Sequence, residues 1–120
     1  IEGVIIMIDY KYGKFTEEQI EGYKKKLHDK IFWLLLYKDP KIKDEFANID
    51  FYKYFDYVMK EINGINEMFN YPYEIVELIS VLEAAWLESL QPDYEYQAYR
   101  KLIFDAHRLV DQLFDNLTEV

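Results

Sequence analysis

Ile31-Phe32-Trp33-Leu34-Leu35-Leu36-Tyr37 is the stretch on which the reading of this chain turns. Seven consecutive apolar or aromatic residues cover every side of a helix, or both faces of a strand. Such a segment needs neighbours all round it and is expected at the centre of a core or an interface. The residues before it decide for a helix. Ile20, Tyr23, Leu27, Ile31, Leu34 and Leu35 recur at helical spacing, with Lys24, Lys25, Lys26 and Lys30 mostly on the solvated side.

Upstream, Thr16 followed by Gln19 is a capping-box pattern, and Glu17 and Glu18 fall in the first turn, where the helix dipole favours acids. The first helix is predicted over 17–38, stopping before Pro40. Residues 1–15 read as a short strand or extended arm. Val4, Ile6, Ile8, Tyr10 and Tyr12 share one face, and Gly13 breaks the run. A lone strand needs a partner: a hairpin, a second copy across a dimer axis, or packing as an arm. The apolar start lacks a basic leader and a cleavage site, so no signal peptide is expected.

Downstream, Asp39 to Ile49 is a connector with room for a short helical turn and for Phe46 against the core. Asp50 caps a second helix over 51–69, whose stripe is Phe51, Phe55, Val58, Ile62, Ile65 and Phe69. Gly64 interrupts it, and a close helix approach is one reason for a glycine there. Pro72 suits the first turn of a third helix over 73–90, with Ile75, Leu78, Ile79, Leu82, Ala85, Trp86 and Leu90 inward. Asp93 is expected to cap a fourth helix over 94–117, with Tyr99, Leu102, Ile103, Ala106, Val110, Leu113 and Leu117 inward.

Four amphipathic helices with mostly short connections predict an all-α antiparallel four-helix bundle, with a single domain spanning 1–120. The apolar faces of helices 1 and 3 are wide. Either both helices are central, or a homodimer forms through them or through the N-terminal strand.

The chain has 120 residues, 51% of them hydrophobic and 31% charged, which is a globular composition. With no Cys, neither disulfides nor thiolate chemistry is available, in keeping with a cytoplasmic protein. No apolar run reaches the ~18 residues of a membrane span. The net charge of −9 lies wholly in the second half: residues 1–60 carry 11 Lys against 11 acids, and residues 61–120 carry three basic residues against 12 acids. A surface of that sign disfavours direct nucleic-acid or membrane binding and favours a basic partner.

Three patterns invite a chemical reading. His28-Asp29 has the dipeptide of the metal-dependent HD phosphohydrolases, but no His precedes it to complete the ligands, so it reads as a polar pair on the outer face of helix 1. His107 and Asp111, four apart, make two ligands at most and read as a helix-surface pair. Glu17-Glu18-Gln19-Ile20-Glu21 resembles the first acidic block of the all-α NTP pyrophosphohydrolases. That resemblance implies Mg²⁺ held between this block and a later Glu-x-x-Asp on the next helix. Here the nearest counterpart is Glu45 followed by Asn48, in the connector. No catalytic residue, metal site or cofactor is predicted.

The aromatic residues carry more. The chain has 12 Tyr, and an up-down-up-down bundle gathers Tyr37, Tyr52, Tyr54, Tyr57, Trp86, Tyr94, Tyr96 and Tyr99 at one end among acids. Tyr and Trp dominate binding hot spots. The expected function is a non-enzymatic protein-binding module for a basic macromolecular partner, through Glu74, Glu77 and Glu88 on the outer side of helix 3 and Asp93, Tyr94, Glu95 and Tyr96 at the turn. The alternatives are a phage or mobile-element inhibitor mimicking nucleic acid, a toxin-immunity protein, and a Mg²⁺-dependent pyrophosphohydrolase-like enzyme using Glu17, Glu18 and Glu21.

Overall fold

The computed structural model describes residues 7–10 and 13–114. In order, they form strands β1 (Met7–Tyr10) and β2 (Gly13–Thr16), then helices α1 (Glu17–Leu36), α2 (Phe51–Met68), α3 (Tyr73–Ser89) and α4 (Tyr96–Asp111), with a 3₁₀ turn at Lys43–Phe46. The strands make an antiparallel hairpin running from Met7↔Thr16 to Tyr10↔Gly13. Of the three pairings open to the strand, the chain uses the hairpin. Gly13 does not end the β structure but opens its second strand. Residues 1–6, which include Val4 and Ile6, residues 11–12, which include Tyr12, and residues 115–120, which include Leu117, lie outside the described set.

Helix starts follow local chemistry. At α1 the capping box is complete: the Thr16 hydroxyl accepts from the Gln19 N–H at 3.1 Å, and the Gln19 side chain accepts from the Thr16 N–H at 2.8 Å. At α2 the Asp50 carboxylate accepts from the Lys53 N–H at 3.1 Å. The other two starts differ from expectation. Pro72 is the N-cap of α3, one residue before the helix. Asp93 caps nothing: α4 begins at Tyr96 with Glu95 at its N-cap position and no side-chain cap bond. The chain needs residues 90–95 to turn between two tightly packed helices, which delays the helix by two residues.

The α2–α3 connection is a Schellman closure. Asn70 N–H bonds the Glu67 carbonyl and Tyr71 N–H bonds the Asn66 carbonyl, at 3.1 and 2.8 Å. Asn70 and Tyr71 both stand at positive φ, 62° and 59°. Gly64, by contrast, stands exposed in mid-helix, and a Cβ there would meet nothing within 4 Å. No close helix approach explains it.

The helices pack as an antiparallel four-helix bundle. Lys30 on α1 pairs with Glu61 on α2 at 2.5 Å, and Trp86 near the end of α3 meets Tyr52 and Phe55 near the start of α2. Glu88 on α3 receives the Glu95 N–H just before α4. Leu34, His28 and Lys24 on α1 meet Tyr99, His107 and Asp111 on α4 in reverse order. The most extensive contacts are those of α4 with α3 and with α1. The core consists of the stripes read from the sequence: Leu27, Ile31 and Leu34 face Phe55, Val58 and Ile62, Ile75, Leu78 and Leu82, and Tyr99, Ile103 and Val110, all almost wholly buried.

The seven-residue apolar stretch departs from expectation. Ile31, Leu34 and Leu35 are buried, but Phe32 and Trp33 are 42% and 41% exposed. α1 touches α2, α4 and β2, which leaves its outward side uncovered. Conversely, Lys24 is buried, its ammonium donating to the Asp111 carbonyl at 2.9 Å near the end of α4. On α3, Val76 and Leu87 are exposed, and Leu90, expected inward, is exposed because it stands past the last turn as the C-cap, so the wide apolar faces are not absorbed by this core. No described helix is long and apolar enough to cross a membrane.

Candidate functional site: the aromatic end of the bundle

The antiparallel packing brings the end of α1, the start of α2, the end of α3 and the start of α4 together. The aromatic residues there form two groups of touching rings, one around Tyr37 and Tyr54 and one around Phe51 and Tyr99. Tyr37 meets Tyr54 at 5.3 Å between ring centres and Phe46 at 5.1 Å. Tyr52 meets Trp86 at 5.3 Å, and Phe51 meets both Phe55 and Tyr99. Most of these contacts are edge-to-face, the arrangement that the ring quadrupole favours.

Tyr99 anchors the second group. It is wholly buried, and its hydroxyl donates to the Leu34 carbonyl at 2.7 Å. That carbonyl belongs to the last turn of α1, where the Lys38 N–H bonds Leu35 instead. The Tyr94 hydroxyl reaches the Lys38 carbonyl at 3.4 Å. Two tyrosines of the fourth-helix region thus serve the loose end of the first helix. Burial raises the pKa of Tyr99, Tyr94 and Tyr96. Tyr54 is pushed up to about 12 by burial and by neighbouring Tyr37, Tyr57 and Glu61. All four hydroxyls remain protonated donors at neutral pH.

Lys38 sits among three of these rings. Its ammonium is 4.7 Å from the ring centre of Phe51, 4.8 Å from Tyr94 and 5.6 Å from Tyr52. The rim carries exposed aromatic and acidic groups: Tyr52 and Tyr57 are 43% and 49% exposed, and Asp93 and Glu95 are both exposed.

The seven residues expected to bind a partner do not form one surface. Glu88, Asp93, Tyr94, Glu95 and Tyr96 gather at this end. Glu74 and Glu77 lie at the other end of α3, about 20 Å away at 1.5 Å per residue. Glu74, expected on the outer side, is buried, because α3 is rotated so that positions 74, 75 and 78 point inward together. Glu77 is half-buried beside Val81, Asp105, Arg108 and Leu109 in the α3–α4 groove. Glu88 is also half-buried, its carboxylate spent on the Glu95 N–H at 3.2 Å.

A second cluster escaped the sequence. His28 is not on an outer face but at the α1–α4 seam, its Nδ1 2.8 Å from Nδ1 of His107 and its Nε2 2.7 Å from Asp111 Oδ1. The two rings are nearly parallel, 10° apart. With Asp111 accepting, His28 carries its proton on Nε2, and its Nδ1 accepts from the His107 Nδ1–H. His107 and Asp111 are four apart as read, but their common partner is 79 residues from His107 and invisible to local pattern.

Glu17, Glu18 and Glu21 are exposed at the start of α1, whereas Glu45 lies beyond its far end. The two acidic blocks that the pyrophosphohydrolase resemblance would pair are at opposite ends of a 20-residue helix. Among the described residues no group of three His, Asp or Glu is placed to hold a metal ion. No protein-family model, curated protein or solved structure matches the chain.

Proposed function

We propose that this protein is a non-enzymatic binding module whose aromatic, acidic end engages a basic macromolecular partner in the cytoplasm. The observation that carries this reading is the gathering of rings from all four helices at one end, rimmed by exposed Asp93 and Glu95. Rigid aromatic area offers contact at small entropic cost, and the acids select the partner's sign. The excess negative charge of residues 61–120 steers such a partner towards the protein.

The test is affinity capture with the wild-type chain and with the Asp93→Lys/Glu95→Lys double variant, at low and high salt. A basic protein retained by the wild type, released by salt and lost in the double variant is the expected result. Capture that ignores both salt and charge reversal would overturn it. Self-association through the apolar residues left exposed on α1 and α3 is a second proposal, resting on Phe32, Trp33, Val76 and Leu87. A concentration-independent monomer in sedimentation would remove it.

A further inference from the structure

The three rings around Lys38 are held by the core rather than by the cation they surround. Tyr52 stands edge-on to Trp86, with planes 89° apart. Phe51 is braced by Phe55 and Tyr99. Tyr94 stands edge-on to the buried Tyr99 ring, 6.4 Å between centres, and its hydroxyl reaches the Lys38 carbonyl at 3.4 Å. Each wall therefore rests on contacts that do not involve the ammonium. Several aromatic faces around one cation is the arrangement by which proteins recognise ammonium groups, the ring quadrupoles replacing lost hydration. Its occupant is tethered just beyond the end of α1, and the exposed wall of Tyr52 gives access from solvent.

We propose that Phe51, Tyr52 and Tyr94 form an ammonium-binding box in which Lys38 is a resident stand-in, displaced when a cationic side chain of the partner enters. The inference rests on the partner-binding reading above and deepens it by naming the group recognised: an alkylammonium, methylated or not. A methylated ammonium competes best, because it is less hydrated than the primary ammonium it displaces. Asp93 and Glu95, on the rim, favour its approach.

The probe is tetramethylammonium chloride, titrated against NaCl of equal ionic strength and followed by the ring-proton NMR shifts of Tyr52 and Tyr94. Removing the competitor with Lys38→Ala should tighten apparent binding by about tenfold, since the box no longer has to be vacated first. Adding Tyr52→Ala to Lys38→Ala should abolish the saturable shift at Tyr94. Tyr52 is a surface ring, and the unfolding midpoint reports whether the double variant keeps its fold. A folded Lys38→Ala protein with no saturable response, or with one indifferent to Tyr52→Ala, would overturn the box. Tetramethylammonium binding without any captured basic protein would instead sink the partner reading and leave the box standing. A partner captured equally well by wild type and Tyr52→Ala would do the reverse.

Discussion

The Tyr99 hydroxyl and the Leu34 carbonyl meet at 2.7 Å inside the core, across 65 residues of sequence. Tyr23 offers the contrast: its hydroxyl is buried and has no hydrogen-bond partner among the described residues. The same substitution should therefore have opposite consequences at the two positions. Tyr99→Phe strips a helix-end carbonyl of its donor and should cost about 1–2 kcal/mol, whereas Tyr23→Phe removes an unsatisfied polar group and should be neutral or stabilising. Urea denaturation of the two variants tests the pair; equal losses would contradict this account.

The histidine seam predicts a pH dependence. Burial lowers the pKa of His107, the neighbouring His28 lowers it further, and Asp111 partly opposes them. A folded pKa below the unfolded value of 6.5 means that the unfolded chain takes up this proton first as pH falls. The contribution of His107 to stability is therefore complete above pH 6.5 and is lost as pH drops through that value towards the folded pKa. Glu21, Lys24, Lys25 and Asp29 from α1 and Asp111 from α4 share this surface with His28. The informative quantity is accordingly the difference between wild type and His107→Gln. Their denaturation midpoints should converge between pH 7.5 and 5.

The glycines and the positive-φ residues are mismatched, and exchange should help. Gly22 and Gly64 lie in helices with open space at the Cβ position. Replacement by Ala should stabilise by about 0.5–1 kcal/mol each. Asn70 occupies the left-handed position of the Schellman closure at φ 62°, and Asn70→Gly should raise stability by up to about 1 kcal/mol. Thermal unfolding of the three single variants would show it, and a fall in midpoint at any of them would refute the assignment there.

Capping separates residues that look alike in sequence. Thr16→Ala and Asp50→Ala each remove a bond to a helix N-terminus and should cost about 1 kcal/mol. Asp93→Ala, which touches no helix start, should change denaturation within about 0.5 kcal/mol. A loss at Asp93 equal to that at Asp50 would restore it as a cap.

These contrasts show what local pattern carries and what it does not. The stripe of α2, the box at Thr16 and Gln19 and the cap at Asp50 depend on neighbours within four residues, so spacing alone reveals them. The antiparallel order followed from short connections, and with it the meeting of Tyr37, Tyr52, Trp86, Tyr94 and Tyr99. The inward stripes followed too, but not the full rotation of α1 and α3, whose apolar faces are wide. A seven-residue apolar run says that every side is apolar, not which side meets a neighbour, so Phe32 and Trp33 were misplaced. Glu74 was misplaced for the same reason on α3. Acidic signatures without matched packing, such as Glu17 to Glu21, cannot show whether a second block faces them. The His28–His107 contact and the Lys38 box depend on the relative height of two helices, which no periodicity encodes.

The α1–α4 seam also sets an order of events. Lys24 with Asp111, His28 with His107 and Leu34 with Tyr99 join residues 87, 79 and 65 positions apart, whereas α3 and α4 are neighbours in the chain. Loop-closure entropy favours the α3–α4 pair forming early and α1 docking late. On a ribosome the disparity is sharper. Of the four helices α1 emerges before the others, yet its principal partner, α4, is the last of the four to be made. Until residues 96–111 clear the exit tunnel, Leu27, Ile31 and Leu34 have no α4 to cover them, and the nascent chain exposes this adhesive segment while α2 and α3 are being made.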